Sequence, residues 1–173
     1  SLPTHAAMPV QPDRAIRSWD IFCTVIDNFG DIGVCWRLAR QLAQEHGHAV
    51  RLWVDDLASF ARLAPGLDPG APRQELAGVT ILPWRRPDQE SAQESTARFA
   101  GVTPHDAVIE AFACDLPEPF LAAMAARAPK PAWLNLEYLS AEPWVREHHG
   151  MASPHPRLPL VKHFFFPGFE PGT

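Results

Sequence analysis

The stretch WDIFCTVIDNFGDIGVCWRLARQLAQ, residues 19–44, decides the fold of this chain. Its first part, residues 21–26, is a run of apolar and β-branched residues, which predicts a buried β-strand. A polar turn that carries Gly30 and Gly33 follows the strand. After the turn, apolar residues recur every four positions as far as Leu42, which predicts a helix with one face on a sheet. Strand, turn and helix in this order predict the first unit of an α/β domain.

Strand-like and helix-like segments alternate along the rest of the chain. Short apolar or alternating runs predict further strands at residues 48–54, 79–82, 106–112, 132–139 and 160–166. Helical patterns cover residues 57–63 and 118–127, the polar segment 88–99 is compatible with a helix, and residues 65–78 are predicted to form a loop. This alternation predicts a Rossmann-like α/β fold, in which a parallel sheet with right-handed crossovers carries helices on both faces.

The composition is that of an ordinary globular domain. The chain has 173 residues, of which 20% are charged, and its net charge is −5. An acidic balance of this kind disfavours nucleic acid as a ligand, although it suits a basic partner. No run reaches the roughly 18 apolar residues that a membrane-spanning helix needs, so no membrane segment is expected.

The cysteines indicate the compartment. The chain contains three of them, which lie in apolar surroundings and include no Cys-x-x-Cys pair: Cys23, Cys35 and Cys114. An odd number of such residues predicts buried thiols in a reducing compartment, which indicates the cytoplasm.

Two carboxylates, Asp27 and Asp31, share the first turn with two glycines. Because glycine lacks Cβ, Gly30 and Gly33 allow positive φ and a close approach of backbone N–H groups to a phosphate or carboxylate at a helix N-terminus. Asp27 follows the strand, and open α/β sheets bind their ligands at the carboxyl ends of strands. Two interpretations are open: both aspartates are functional acids, or Asp31 is a helix N-cap and Asp27 forms an Asx-turn.

A dinucleotide-binding oxidoreductase is a weaker interpretation of the same order of elements. Its fingerprint is Gly-x-Gly-x-x-Gly, whereas this turn reads GDIG at residues 30–33. Such enzymes also carry an acidic residue at the end of the second strand, a position that Asp55 or Asp56 imitates. One of these two features without the other does not support the class.

Four separated blocks of the sequence carry a resemblance to a known family. They are FCTVIDNFGDIGVCWRLARQL at residues 22–42, AFACDLP at 111–117, WLNLEYLSAEPWV at 133–145 and HFFFPGF at 163–169. In these blocks, which follow one another in the matching order, the chain resembles the bacterial protein-arginine rhamnosyltransferases that modify elongation factor P. Four blocks in order are a more specific signal than a single glycine turn.

The resemblance implies an inverting glycosyltransferase of the GT-B architecture, in which two Rossmann-like domains face each other across a cleft. Enzymes of this family transfer rhamnose from dTDP-β-L-rhamnose to an arginine side chain of elongation factor P. The implied donor is therefore a nucleotide sugar, and neither a metal nor a further cofactor is expected. Residues 1–18 are expected to be a disordered leader or a cloning remnant, residues 19–166 the acceptor-binding domain, and residues 167–173 the start of a linker to a donor domain.

The resemblance also assigns site residues. The aspartates of the family motif fall on Asp31, the expected general base, and on Asp27, which is expected to orient the acceptor guanidinium. The donor's sugar or phosphate is expected to contact the backbone of Asn28, Phe29, Gly30 and Gly33. Five polar residues near the end of the strand at 132–139 are either acceptor or cleft contacts or a structural network: Asn135, Glu137, Tyr138, Ser140 and Glu142. Glu110 is interpreted as a polar strand residue rather than a second base.

The competing interpretation is a non-catalytic Rossmann-like module that binds a nucleotide or a protein. In that case Gly30 and Gly33 serve packing, and the two aspartates serve only as caps. The histidine pairs at positions 46 and 48 and at 148 and 149 are interpreted as surface residues, so neither alternative includes a metal site.

Overall fold

The computed structural model describes residues 15–25, 29–111, 114–136, 152–154 and 161–165. Strands and helices alternate along these residues, as the sequence pattern predicts. In chain order the elements are β1 (Ser18–Cys23), α1 (Phe29–Gln44), β2 (Ala49–Val54), α2 (Leu57–Phe60), β3 (Gln74–Leu76), β4 (Val79–Pro83), α3 (Ala92–Phe99), β5 (Ala107–Ala111), α4 (Glu118–Ala126), β6 (Ala132–Leu136), β7 (Ala152–Pro154) and β8 (Val161–Phe165).

The described strands form one sheet in the order β3-β4-β2-β1-β5-β6-β8-β7. Neighbours between β4 and β8 run parallel, and the ladder of β1 and β2 ends at the pair Cys23 and Val54. Counted along the chain, these six described parallel strands have the order 3-2-1-4-5-6, which is the doubly wound order of Rossmann folds. The predicted Rossmann-like sheet is confirmed.

The two outer strands run antiparallel to their neighbours, which the sequence pattern did not predict. β3 pairs with β4, and β7 pairs with β8. The loop predicted at residues 65–78 is therefore wrong at its end, where β3 and a tight turn lie. In that turn Ala77 and Gly78 both have positive φ, 54° and 81°, as in a type I′ hairpin. A three-residue edge strand shows too little alternation to be detected from sequence.

Helices cover both faces of the sheet, as predicted, and the two faces have different cores. On one face, α1 and α2 pack on aliphatic side chains such as Ile21 and Leu52. On the other face, α3 and α4 enclose a mainly aromatic cluster around Phe22, whose ring centroid lies 5.2 Å from that of Trp53 and 5.4 Å from that of Trp84. Burial of these side chains is the main attraction between helices and sheet.

A buried ionic network joins β1 and β2 in their amino-terminal halves. Asp20 is fully buried and accepts hydrogen bonds from Arg51 Nε at 2.6 Å and Arg51 Nη2 at 2.8 Å. Its carboxylate also accepts from Trp53 Nε1 at 2.9 Å and from the backbone N–H of His105 at 2.8 Å. Arg51 donates in addition to the carbonyl oxygen of Thr103 at 2.7 Å. Both oxygens of Asp20 are therefore paired, and a cation balances its charge.

Helix α1 begins at Phe29, ahead of both glycines of the predicted turn. Glycine is about 1 kcal/mol less favourable than alanine in a helix, so the sequence pattern placed Gly30 and Gly33 outside it. Ile32 is fully buried in the aliphatic core, and its packing holds the first turn of the helix on the sheet. Neither glycine uses the positive φ that its missing Cβ allows; the described glycines with positive φ are Gly47, Gly66, Gly78 and Gly101. Of these, Gly47 lies just after the end of α1, as predicted.

Candidate active site

The order of the strands changes direction at the carboxyl end of β1. One neighbour of β1 is β2 and the other is β5, so the connections that leave these strands diverge at this point. Doubly wound folds bind their ligands in the crevice that forms there. The first turn of α1 lies at the same edge of the sheet because the helix follows β1 directly. The fold therefore supports a ligand site at the motif that contains Asp31.

Asp31 is the third residue of α1 and lies inside its first turn. The interpretation of Asp31 as an N-cap is therefore wrong, because a capping residue precedes the first helical residue. Its carboxyl oxygen Oδ1 is buried and has no hydrogen-bond partner in the part of the chain that the structure describes. Burial raises the pKa of the Asp31 carboxyl above its ordinary value. The Asp31 carboxyl therefore holds a proton more readily than that of an exposed aspartate.

Gly30 and Gly33 are one helical turn apart, on the same side of α1. A Cβ atom added at Gly33 meets no atom within 4 Å among the described residues, so packing does not require glycine there. Gly30 is exposed. Because both positions lack a side chain, the helix backbone is open to close approach at this point. Donor binding by these two residues stays a prediction.

The protein itself engages both acidic residues that follow β2. Asp55 Oδ1 accepts a hydrogen bond from the backbone N–H of Val25 at 2.8 Å. Asp56 is the N-cap of α2 and accepts from the Ser59 N–H at 3.1 Å and from the Ser59 hydroxyl at 2.6 Å. In a dinucleotide-binding domain the acid at this place holds ribose hydroxyls instead. These contacts count against the dinucleotide oxidoreductase.

Glu110 and Asn135 form a buried polar pair, each one residue before the end of its strand. Both are 3% exposed and lie opposite each other in β5 and β6, and Asn135 Nδ2 donates to Glu110 Oε2 at 3.1 Å. Asn135 Oδ1 is buried without a hydrogen-bond partner among the described residues. Glu110 thus occupies the place of a polar strand residue, and a role of Asn135 toward the acceptor or the cleft stays a prediction.

The structure brings together only part of the predicted set. Asp31, Gly30 and Gly33 share the first turn of α1, whereas Asn135 lies two strands away from β1, in β6. For Phe29 the structure describes the backbone, as the first residue of α1. The remaining predicted site residues lie outside the described residues: Asp27, Asn28, Glu137, Tyr138, Ser140 and Glu142. Their roles stay predictions.

The three cysteines are buried and free, as the sequence predicts. A hydrogen bond with Cys23, together with burial, raises the pKa of the Cys35 thiol. Burial also raises the pKa of the Cys114 thiol, and the nearby carboxyl of Glu110 raises it further. Because a high pKa disfavours the reactive thiolate, Cys35 and Cys114 are poorly suited to act as nucleophiles.

Two cavities open at the carboxyl edge of the sheet. A polar cavity of about 330 Å³ lies beyond β2 and β4, where Asp55, Trp84 and Arg85 contribute to its wall. A mainly apolar cavity of about 510 Å³ lies between the N-terminal ends of α3 and α4, next to Ser91 and Pro117. Both therefore lie at the edge to which doubly wound sheets bind ligands.

The described part of the chain shows neither a metal-binding cluster nor a membrane-spanning helix. Within it, no three side chains of histidine, cysteine, aspartate or glutamate come together as a metal-binding group. None of the described helices has the length and apolar character needed to cross a membrane.

Comparison with known families agrees with the geometry of this edge. Residues 19–173 match the family model described as "Elongation-Factor P (EF-P) rhamnosyltransferase EarP". The match includes β1, the turn with Asp31, and every later strand. The chain belongs to the EarP family.

Individual relatives of the EarP family are similar along the same stretch. A protein-arginine rhamnosyltransferase from Pseudomonas putida is 54% identical over 156 residues, which cover 90% of this chain and 38% of the relative. One from Pseudomonas aeruginosa is 55% identical over 153 residues, covering 88% of this chain and 38% of the relative. For one from Neisseria meningitidis, identity is 46% over 150 residues, with coverages of 87% and 36%. The chain therefore spans somewhat more than a third of the length of these relatives.

Proposed function

We propose that this chain is the amino-terminal, acceptor-binding half of an inverting GT-B glycosyltransferase. The complete enzyme transfers L-rhamnose from dTDP-β-L-rhamnose to an arginine side chain of elongation factor P. Membership of the EarP family supports the reaction, and the Rossmann-like sheet supports the architecture. Because the match covers 38% of the Pseudomonas putida relative, we assign donor binding mainly to the part of the relatives outside the match.

The observation that carries the proposal is the carboxyl group of Asp31. Its Oδ1 is buried at the edge where the sheet binds ligands, without a hydrogen-bond partner among the described residues. Buried acceptors in folded proteins are nearly always paired, so an unpaired one at such an edge is expected to meet its donor in a ligand. An arginine guanidinium supplies five N–H donors and a positive charge.

The chemistry of the acceptor explains why carboxylates are needed. A guanidinium group has a pKa above about 12 and delocalised lone pairs, so it is a poor nucleophile. Two carboxylates that accept its N–H groups can align one nitrogen with the anomeric carbon of the sugar. In this mechanism Asp27 orients and polarises the guanidinium, while Asp31 accepts its proton as the C–N bond forms.

The burial of Asp31 suits the role of a base. A base is most effective when its pKa approaches the working pH, and burial moves the pKa of Asp31 upward, in that direction. When a guanidinium binds beside it, the positive charge stabilises the ionised form until the nitrogen transfers its proton.

Inversion at the sugar follows from a single displacement. The acceptor nitrogen attacks the anomeric carbon from the face opposite the nucleotide, the C–O bond to dTDP breaks, and no covalent enzyme intermediate forms. The backbone at residues 28–30 and at Gly33 contacts the sugar or the phosphate, where the N-terminus of α1 favours an anion. Backbone N–H groups and basic residues stabilise the leaving diphosphate, so the reaction uses no metal or further cofactor.

The partners and the compartment follow from the same proposal. The acceptor is a protein, elongation factor P, and the donor is a nucleotide sugar; nucleic acid and membrane are not among the partners. We assign the protein to the cytoplasm, in keeping with the three buried, free thiols.

The decisive experiment is Asp31→Asn in the full-length enzyme. The amide keeps the size of the side chain but cannot take up the proton, so rhamnosylation of elongation factor P should fall by about 10²- to 10⁴-fold. Glu45→Gln, the same chemical change at an exposed position beyond the other end of α1, is the matched control and should keep normal turnover. Turnover is measured by mass spectrometry of the acceptor, and folding by circular dichroism.

A binding experiment separates the enzyme from the non-catalytic module. The 173-residue chain alone should show no turnover, because donor and acceptor domains must close on each other. It should nevertheless bind elongation factor P, with NMR shift changes centred on the first turn of α1. Near-normal turnover of Asp31→Asn excludes Asp31 as the base. Absence of any shift change on addition of the acceptor contradicts the acceptor-binding role.

A further inference from the structure

Two side chains, one directly after β2 and one directly after β4, form hydrogen bonds with the backbone at the carboxyl end of β1. Asp55, directly after β2, accepts the backbone N–H of Val25 at 2.8 Å. Trp84, directly after β4, donates its indole N–H to the carbonyl oxygen of Cys23 at 3.1 Å. We refer to Asp55 and Trp84 as the β1 clasp.

The clasp takes over where the regular ladder stops. The register between β1 and β2 ends at the pair of Cys23 and Val54, so Val25 lies beyond the last strand-to-strand pair. Val25 is 8% exposed, and an unpaired N–H at such a buried position is costly. Only residues 26–28 separate Val25 from the first residue of α1. The clasp therefore fixes one end of a very short connection to the helix that carries Asp31.

Asp55 is buried, and an arginine lies near its carboxylate. Its side chain is 5% exposed, and its Oδ2 lies 4.0 Å from Arg86 Nε. Burial raises the pKa of Asp55, whereas the hydrogen bond from Val25 and the charge of Arg86 lower it, with a net shift upward. An aspartate buried to this extent carries a desolvation cost, which its hydrogen bond from Val25 and the charge of Arg86 offset in part.

We infer that Asp55 and Trp84 are positioning residues for the transfer reaction, an inference that rests on the proposed function. Neither side chain needs to touch the substrate. By holding the backbone at Cys23 and Val25, they set where the first turn of α1 places Asp31 relative to the bound acceptor. A displacement of about 1 Å in a reacting group can slow an enzyme about 10²-fold, so a loosened exit of β1 lowers the rate of the chemical step.

The fold offers a matched control for each member of the clasp. Asp56 is the next residue after Asp55 and caps α2, with its carboxylate hydrogen-bonded to Ser59. Trp53 also contacts Phe22, with stacked rings where those of Trp84 and Phe22 meet edge to face, but its indole N–H donates to Asp20, toward the amino end of the sheet. Replacing Asp55 or Asp56 by alanine removes a carboxylate, and replacing Trp84 or Trp53 by phenylalanine removes an indole N–H. In each pair, only the first replacement removes a hydrogen bond to the backbone at the end of β1.

The test compares these variants in the full-length enzyme. Asp55→Ala should lower kcat by about 10- to 100-fold with the KM for the donor unchanged, whereas Asp56→Ala should keep kcat within about twofold per folded molecule. Asp55→Asn retains an acceptor oxygen for Val25 and should restore most of the rate. Trp84→Phe should lower kcat by about 3- to 10-fold, and Trp53→Phe should not.

Equal losses of kcat in Asp55→Ala and Asp56→Ala overturn the inference for Asp55. Should Asp55→Ala fail to fold, Trp84→Phe and Trp53→Phe are compared instead, and equal losses of kcat in these two variants overturn the inference. The Val25 amide proton gives an independent reading, because it should move upfield in the NMR spectrum of the chain as Asp55 takes up a proton, and should not titrate in Asp55→Asn. Failure of the proposed function is distinguishable, since the unmodified full-length enzyme then does not rhamnosylate elongation factor P, whereas turnover in Asp31→Asn excludes only the base assignment.

Discussion

Asp20 and Asp31 lie on the same βα unit, yet their carboxylates have opposite surroundings. Asp20, in the amino-terminal half of β1, is fully buried, and four donors from three residues occupy both of its oxygens. Asp31, beyond the carboxyl end of that strand, has a buried oxygen that no described residue pairs. The first carboxylate is complete within the protein. The second has an oxygen for which the described part of the chain supplies no donor.

This contrast distinguishes a structural acid from a candidate functional one. A buried acceptor left unpaired destabilises a protein by about 1–3 kcal/mol, so folding alone gives no reason to keep one. Asp20 avoids this cost through Arg51, Trp53 and the backbone of His105. Asp31 Oδ1 has no such partner among the described residues and lies at the edge where doubly wound folds bind ligands, which agrees with the proposed role in binding or catalysis.

The largest expected effect on stability separates the two aspartates directly. Asp20→Ala leaves the partly buried guanidinium of Arg51 without its anion and the buried indole N–H of Trp53 without its acceptor, and should lower the free energy of unfolding by about 3–5 kcal/mol. Asp31→Ala removes a carboxyl group whose Oδ1 has no donor among the described residues, and should change it by less than about 1 kcal/mol. Urea unfolding of both variants, followed by tryptophan fluorescence, measures the difference. Similar losses in the two variants would mean that Asp31 is as structural as Asp20.

A smaller effect is expected in the dependence of stability on pH. At the amino edge, burial alone raises the pKa of Asp106, but the Arg17 N–H and the Arg127 guanidinium lower it from 3.8 to about 2. The stabilisation from Asp106 is therefore complete above its ordinary pKa and is lost as the pH falls toward about 2. The pKa of Asp31 is raised, so its contribution is complete below the ordinary value and is lost as the pH rises through the folded pKa.

Amide variants of these two acids should consequently act in opposite directions. Asp106→Asn should destabilise the chain at neutral pH, on the order of 1 kcal/mol because the carboxylate is partly exposed, and should flatten the acid branch of the stability curve. Asp31→Asn should slightly raise stability at neutral pH. Urea unfolding across the acid range measures both. A stability loss at neutral pH in Asp31→Asn contradicts the assigned sign.

The smallest expected effect on stability concerns Gly33, which lies in α1 two residues after Asp31 and has no side chain. A methyl group at Gly33 meets no described atom, so Gly33→Ala should raise the free energy of unfolding by about 0.5–1 kcal/mol through helix propensity. If the donor lies against this surface, the same change should lower transfer activity and raise the KM for the donor in the full-length enzyme. Thermal unfolding and steady-state kinetics measure the two effects. A more stable variant with unchanged kinetics would remove Gly33 from the donor site.

Much of the fold could be predicted because its signals are local. The apolar run before Asp27 and the four-residue spacing after Gly33 indicate a strand and a helix from a few neighbouring residues. The edge strands β3 and β7 were missed because three residues carry too little pattern. The start of α1 was also missed, since the low helix propensity of Gly30 and Gly33 is overcome by the burial of Ile32, a tertiary contact.

In the candidate site, too, the residues that sequence could identify are those with a local signal. Asp31 could be identified from the motif around it, because the motif is contiguous in sequence. The β1 clasp could not, since its contacts join residues that are 30 and 61 positions apart. The position of Asp55 directly after β2 suggested a contact with a ribose, and the structure shows a hydrogen bond from Val25 instead.

By itself, the amino-acid sequence determined the alternation of strands and helices, the side of each element that is apolar, and the motif that holds the acidic pair. These properties depend on residues a few positions apart, whose spacing is set by backbone geometry. Only the tertiary structure decided which strands are neighbours, and which carboxylates find donors. Hydrogen bonds such as that between Asp20 and His105, 85 residues apart, exist only once the sheet has assembled. Whether an acid is paired or left open to a ligand is therefore a property of the packed molecule.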